Sequence, residues 1–106
     1  MDFQQLQMRA LEIRKQYEGY EVKKWGKRWT REQVAEGFVG DVGDLMKLVL
    51  AKSGVRAIED VDTKLAHELS DCLWSVIVLA NEYGIDLEET FLKTMNELEK
   101  KIETLK

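Results

Sequence analysis

Proline is absent from this 106-residue chain, so nothing in it forces a helix to kink or stop. Cysteine and histidine occur once each, as Cys72 and His67. A lone cysteine closes no internal disulfide, and Cys72 sits in an apolar run, which points to a buried thiol in a reducing, cytoplasmic setting. A cysteine nucleophile would have only His67 as base, an unpromising arrangement. No long apolar stretch is present either: the longest, Cys72 to Ala80 interrupted by Ser75, is too short to span a bilayer. The polar N-terminus of mixed charge does not read as a secretory leader. Positive charge is not in excess. The formal net charge is −4 and no basic stripe compensates, which argues against a nucleic-acid polymer as partner but leaves room for a single nucleotide carried in with its metal. What remains, 44% hydrophobic and 34% charged, fits one soluble domain over residues 1–106, without linker, repeat or low-complexity segment.

Four helices are expected. Phe3, Leu6, Met8, Leu11, Ile13 and Tyr17 give a helical apolar pattern over about 2–18, with Gly19 placed to end it. Tyr20 to Trp29 is a basic and aromatic stretch, with Lys23, Lys24, Lys27 and Arg28 interleaved with Trp25 and Trp29; the charge run reads as a solvated face able to steer a polyanion. A second helix starts near Thr30, where Thr30 and Gln33 form a capping box. It carries Val34, Phe38, Val42, Leu45, Leu48 and Val49 and ends near Ser53-Gly54. The third begins near Asp60 or Asp62 and runs to Tyr83, followed by Gly84. Between Leu69 and Ala80 it is apolar almost all round, the mark of a central helix covered on several sides. Asp86 and Glu89 cap a fourth helix through Leu87, Phe91, Met95, Leu98 and Ile102. No period-2 alternation is sustained. The expected fold is therefore an all-α, four-helix antiparallel bundle. Trp74 and Ile77 leave the third helix in different directions, more apolar surface than one small bundle covers, so a homodimer or larger assembly is expected.

Two acidic pairs carry the chemistry. Asp41-Val42-Gly43-Asp44 and Glu68-Leu69-Ser70-Asp71 each place carboxylates three residues apart, on one helix face. Two such helices packed side by side bring four acidic groups together, and such a group needs a cation. Oxygen-only ligands suit Mg²⁺ or Mn²⁺, and carboxylate-held Mg²⁺ usually keeps positions open for water and substrate phosphates. A solvated helix face is the plain alternative. Against it, Asp41 and Asp44 lie beside an apolar stripe, and Gly40 and Gly43 sit mid-helix at about 1 kcal/mol each relative to Ala, as if backbone or ligand came close. Asn81 is a further polar candidate to touch metal or substrate. Trp74 reads as core or interface, and His67 as surface or interface rather than a ligand.

The strings V-G-D-V-G-D-L, H-E-L-S-D-C-L-W and N-E-Y-G-I-D-L-E-E-T-F-L-K resemble the MazG-like nucleotide pyrophosphohydrolases, the all-α NTP pyrophosphatase superfamily, from about Trp25 to Lys101. The acidic motif alone is weakly specific; the three strings in this order are much more so. The resemblance implies a four-helix protomer in a dimer or tetramer, Mg²⁺ dependence, and hydrolysis of nucleoside triphosphates to monophosphate and pyrophosphate. Asp41 and Asp44 stand where the family usually has glutamate, one methylene shorter; Glu68 and Asp71 match the second pair. Asp41 is implied as general base by position, and Lys93 as a phosphate contact. Asn96 falls one position early for a family asparagine, while Lys100 and Lys101 stand where arginines are frequent. Trp25 matches an aromatic that holds the base in the dCTP pyrophosphatase-like branch, and Trp29 stands where that branch often has histidine.

The function expected is a Mg²⁺-dependent (Mn²⁺ possible) nucleotide pyrophosphohydrolase that clears unwanted nucleotides. Asp41, Asp44, Glu68 and Asp71 hold metal, Lys93 and Lys100 face phosphate, and Trp25, Trp29 and Asn81 meet substrate. Two alternatives stand beside it: a phosphoribosyl-ATP or dUTP hydrolase of the same superfamily, and a non-catalytic helix-bundle interaction module, which the two shortened ligands keep in play.

Overall fold

The computed structural model describes residues 1–105, which form four helices and no strand: α1 Phe3–Trp25, α2 Arg31–Lys52, α3 Val61–Glu82 and α4 Leu87–Leu105. The capping signals act as the residue types dictate. The Thr30 side chain accepts from the Gln33 amide at 3.2 Å while the Gln33 side chain accepts from the Thr30 amide at 2.9 Å, so both otherwise orphaned donors of the first turn are satisfied. Asp86 accepts from the Glu89 amide at 3.0 Å. Asp2 and Gln5 form a further reciprocal box.

Helix α1 is longer than expected. Gly19 lies in its interior, and the helix continues to Trp25 and stops at Gly26, whose φ of 81° is left-handed. A mid-helix glycine costs about 1 kcal/mol relative to Ala, too little to end a helix by itself. The added turns carry Glu21, which is buried and therefore anchored by tertiary contacts.

Helices α2 and α3 make the main packing contact and run antiparallel, since Lys52 pairs with Asp62 at 2.6 Å while Asp44 approaches Glu68 farther from the turn. Val34, Leu48, Ile77, Val78 and Ala80 form the buried apolar core. Helix α1 lies against α3. There the Trp74 indole N–H donates to the Ala10 carbonyl at 3.0 Å, and its ring sits 5.7 Å from that of Tyr17. Arg28 ties the α1–α2 loop to α1 and α3, donating to Glu18 at 2.9 Å and Glu82 at 3.0 Å.

Helix α4 stands apart. None of its residues is buried, and it makes little contact with the rest of the chain. The radius of gyration is 17.0 Å, against about 13 Å for a compact domain of this length. Phe91, Met95, Leu98 and Ile102 follow one another along its face and are all exposed.

Candidate metal centre and aromatic cleft

Because α2 and α3 run antiparallel, their acidic motifs meet. Asp41, Asp44 and Glu68 each direct a carboxylate oxygen to a common point, with these atoms all within 4.8 Å of one another. Asp41 and Glu68 are half-buried and Asp44 is exposed. Asp71 does not join this group. Its Oδ2 lies 3.2 Å from His67 Nε2, one helical turn away, and it faces the neighbouring cleft. Asp44 has one cation nearby, Lys47 at 3.8 Å, and both side chains are largely exposed, where such pairs contribute little.

Glu68 shows what the cluster lacks. Its Oε1 is buried without a hydrogen-bond partner. Burial, and then the negative charges of Asp41, Asp71 and Asp44, push its carboxyl pKa up, as expected for a carboxylate whose neighbours share its sign. The Cys72 thiol is raised for the same reasons, burial first and then Asp41, Glu68 and Asp71. An oxygen with no donor, inside a group of like charges and beside no buried cation, fits a hard divalent ion.

Beside the cluster opens a cleft of about 550 Å³. Tyr17, Tyr20, Trp25, Trp29 and Trp74 line it together with Val34 and Val78, and Asp41 and Asp71 stand at its acidic end. Asp41 is thus the one member of the three-carboxylate group that also borders the aromatic cleft. Gly37 on α2 faces the edge of Trp29: a β-carbon there would lie 3.4 Å from the indole, an ordinary van der Waals contact. Gly40 and Gly43, by contrast, have open space where a side chain would be. Within one chain they do not serve the close backbone approach expected of them.

Opposite the acids, Arg14 and Glu21 are buried and paired, with guanidinium–carboxylate distances of 2.7 and 3.1 Å. Burial alone would raise the Glu21 pKa. The Arg14 hydrogen bond, the Trp29 amide and the charges of Arg14 and Arg28 more than offset this, and the carboxyl is held below its ordinary value. Lys24 lies over Trp25, 5.0 Å from the ring centre.

The remaining expected residues are elsewhere. Asn81 is exposed near the end of α3, and Lys93 and Lys100 are exposed on α4; none of the three borders the cleft. Arg14, Glu21, Tyr17, Tyr20 and Gly37 are not among the site residues expected from the sequence, where Tyr17 reads as helix packing and Tyr20 only opens the basic aromatic stretch. The spacing of Arg14, Glu18 and Glu21 along one helix face is the signal in the sequence, and it is visible only when α1 runs past Gly19.

The family model of the MazG nucleotide pyrophosphohydrolase domain matches residues 32–105. The chain belongs to that family. No curated protein and no solved structure gives a significant match. The matched segment contains α2 from its second residue, α3 and α4, and all four motif carboxylates. Arg14, Tyr17, Tyr20, Glu21, Trp25 and Trp29 lie before it, so one wall of the cleft is built from sequence that the MazG match does not cover. Among the described residues no helix is long and apolar enough to cross a membrane.

Proposed function

We propose that this MazG-family chain is a divalent-metal-dependent hydrolase that cleaves nucleoside triphosphates to the monophosphate and pyrophosphate. The observation that carries the reading is the junction of two features at Asp41: a three-carboxylate group with an unpartnered buried Glu68 oxygen, and an aromatic cleft of a size to admit a nucleobase and sugar. Asp41, Asp44 and Glu68 would hold Mg²⁺ or Mn²⁺, with Asp71 available from the next turn of α3. When bound, such an ion neutralises triphosphate oxygens and lowers the pKa of water. Asp41, placed between carboxylates and cleft, accepts the proton of the attacking water. Bond cleavage falls between the α and β phosphates, leaving pyrophosphate at the acidic end and the monophosphate toward the aromatic rings. Trp25 and Trp29, both exposed at the cleft, stack on the base.

Lys93 and Lys100 are assigned to phosphate charge by family position. In a single chain neither borders the cleft, so that role depends on assembly. A homodimer or larger oligomer is supported by the bare apolar face of α4 and by Val39, Val42, Met46 and Val49, exposed along one side of α2. Burial of such stripes between copies contributes about 25 cal/mol per Å² of apolar surface. Sedimentation at micromolar concentration is expected to give a dimer or tetramer; a monomer removes the assembly and, with it, the role of α4. The activity is tested by pyrophosphate release from a panel of nucleotides with Mg²⁺ or Mn²⁺, expected to be metal-dependent. Absence of release from every nucleotide would leave the non-catalytic interaction module in its place.

A further inference from the structure

The Arg14–Glu21 pair borders the aromatic cleft, has no role in the metal and phosphate assignments above, and is the most buried polar feature among the described residues. Both side chains are more than nine-tenths buried. An ion pair in such a place rarely adds net stability over apolar residues of similar size, so its retention calls for another account. Geometry supplies one. Glu21 takes a third hydrogen bond: its Oε1 accepts from the main-chain N–H of Trp29 at 2.8 Å. Trp29 sits on the short segment joining α1 to α2, just after the left-handed Gly26. That segment has no regular backbone bonding of its own, and Trp29 is itself partly exposed at the cleft. Without an anchor, its indole would sample several positions. Arg14, held on α1, fixes the Glu21 carboxylate with two hydrogen bonds, and Glu21 fixes the backbone from which Trp29 projects. The ring edge lies beside Gly37 of α2.

We propose that Arg14 and Glu21 are positioning residues for base recognition: the buried pair clamps the Trp29 backbone so that the aromatic cleft is preformed for a flat heterocycle before substrate arrives. The inference rests on the function proposed above and adds a specificity device that lies before the MazG-matched segment. A preformed stacking wall lowers the ordering cost of binding, and it acts on the base-bearing part of the substrate rather than on the phosphates. Glu18 and Arg28 support the same segment from outside but are more exposed, which leaves Glu21 as its inner anchor.

Two double variants separate the clamp from the ion pair. Arg14→Met/Glu21→Met replaces the pair by apolar groups and removes the acceptor for the Trp29 amide. Arg14→Met/Glu21→Gln removes the charges but restores a carbonyl acceptor at the same place. Steady-state kinetics are read on a nucleoside triphosphate and on inorganic tripolyphosphate, with the thermal midpoint as a check of folding. The first variant is expected to raise KM for the nucleotide about tenfold, within the range for loss of base–aromatic stacking. The rise for tripolyphosphate should be much smaller, and the second variant should recover most of the nucleotide KM. Equal KM changes on both substrates, or no recovery with glutamine, overturn the proposal. Should the first variant not fold, amide hydrogen exchange of the wild-type chain decides. The Trp29 amide should exchange at least about tenfold more slowly than that of Lys27, as a bonded amide does in a loop held locally closed; equal rates overturn the clamp. A wild-type chain that hydrolyses no nucleotide would instead refute the function on which the clamp rests, whatever the exchange rates show.

Discussion

Glu21 and Glu68 are both carboxylates withdrawn from water, and they are opposites. Glu21 meets two guanidinium donors and a backbone amide, and its pKa is lowered. Glu68 meets the carboxylates of Asp41 and Asp44 and feels the charge of Asp71, has an oxygen with no partner, and its pKa is raised. Donors from the chain itself surround the Glu21 carboxylate, whereas like charges surround that of Glu68. A buried charge completed by the chain does structural work, whereas one left incomplete marks where a ligand of opposite sign belongs.

The strongest way to break this contrast is to neutralise the incomplete side. Glu68→Gln, Asp41→Asn and Asp44→Asn each remove a negative ligand at nearly constant volume. Each is expected to lower kcat/KM by about 100-fold or more, since a catalytic metal supplies several kcal/mol of charge stabilisation. Calorimetric titration with Mn²⁺ should lose its binding heat in the same variants. Wild-type rates in all three would place the metal elsewhere.

On the aromatic side the effect should be smaller and confined to the base. Trp25→Ala is expected to raise KM for nucleotides by a factor equivalent to about 1–3 kcal/mol, while tripolyphosphate is handled nearly as before. Lys93→Ala should weaken every triphosphate alike, because a lysine addresses the phosphate charge they share. Kinetics of both variants on two nucleotides and tripolyphosphate distinguish these outcomes; uniform damage by Trp25→Ala would make Trp25 a packing residue.

Metal should invert a stability ranking. Without divalent ions at pH 7, Glu68→Gln is expected to melt a few degrees above wild type, a difference of about 1 kcal/mol or less. Saturating Mg²⁺ should raise the wild-type midpoint and not that of the variant. Differential scanning calorimetry with and without chelator reads both.

The subtlest test is the sign of the pH dependence. The folded pKa of Glu21 is depressed, so its contribution to stability is present above its unfolded pKa and is lost as pH falls through the folded value. The folded pKa of Glu68 is raised, so the metal-free protein loses stability as pH rises from the unfolded value through the folded one. Relative to wild type, Glu21→Gln should therefore be destabilised at neutral pH and converge with it in acid. Metal-free Glu68→Gln should be stabilised at neutral pH and likewise converge in acid. Denaturant midpoints between pH 3 and pH 7 measure both; parallel curves would erase the distinction between the two sites.

Much of the fold was legible because its signals are local. Thr30 with Gln33 and Asp86 with Glu89 announce helix starts through bonds made within one turn, and the absence of proline lets each helix run. The i, i+3 spacing of Asp41 with Asp44 and of Glu68 with Asp71 also fixes which acids share a face. Whether Asp71 then joins the first three or turns toward His67 depends on side-chain direction in the packed helices, which spacing alone does not set. Gly19 misled for a related reason: the local tendency to end α1 there is weak, and the burial of Glu21 beyond it is stronger.

By itself, then, the sequence determined four helices, the two acidic pairs and membership of the MazG family, all properties carried by neighbours within a few residues or by the ordered motif strings. Tertiary structure alone decided that Asp41 links the carboxylates to an aromatic cleft, that Arg14 and Glu21 hold Trp29 in its wall, and that α4 makes little contact with the rest of the single chain. Those are relations between residues far apart along the chain, set by how α1 and α2 settle on α3, and no local spacing encodes them.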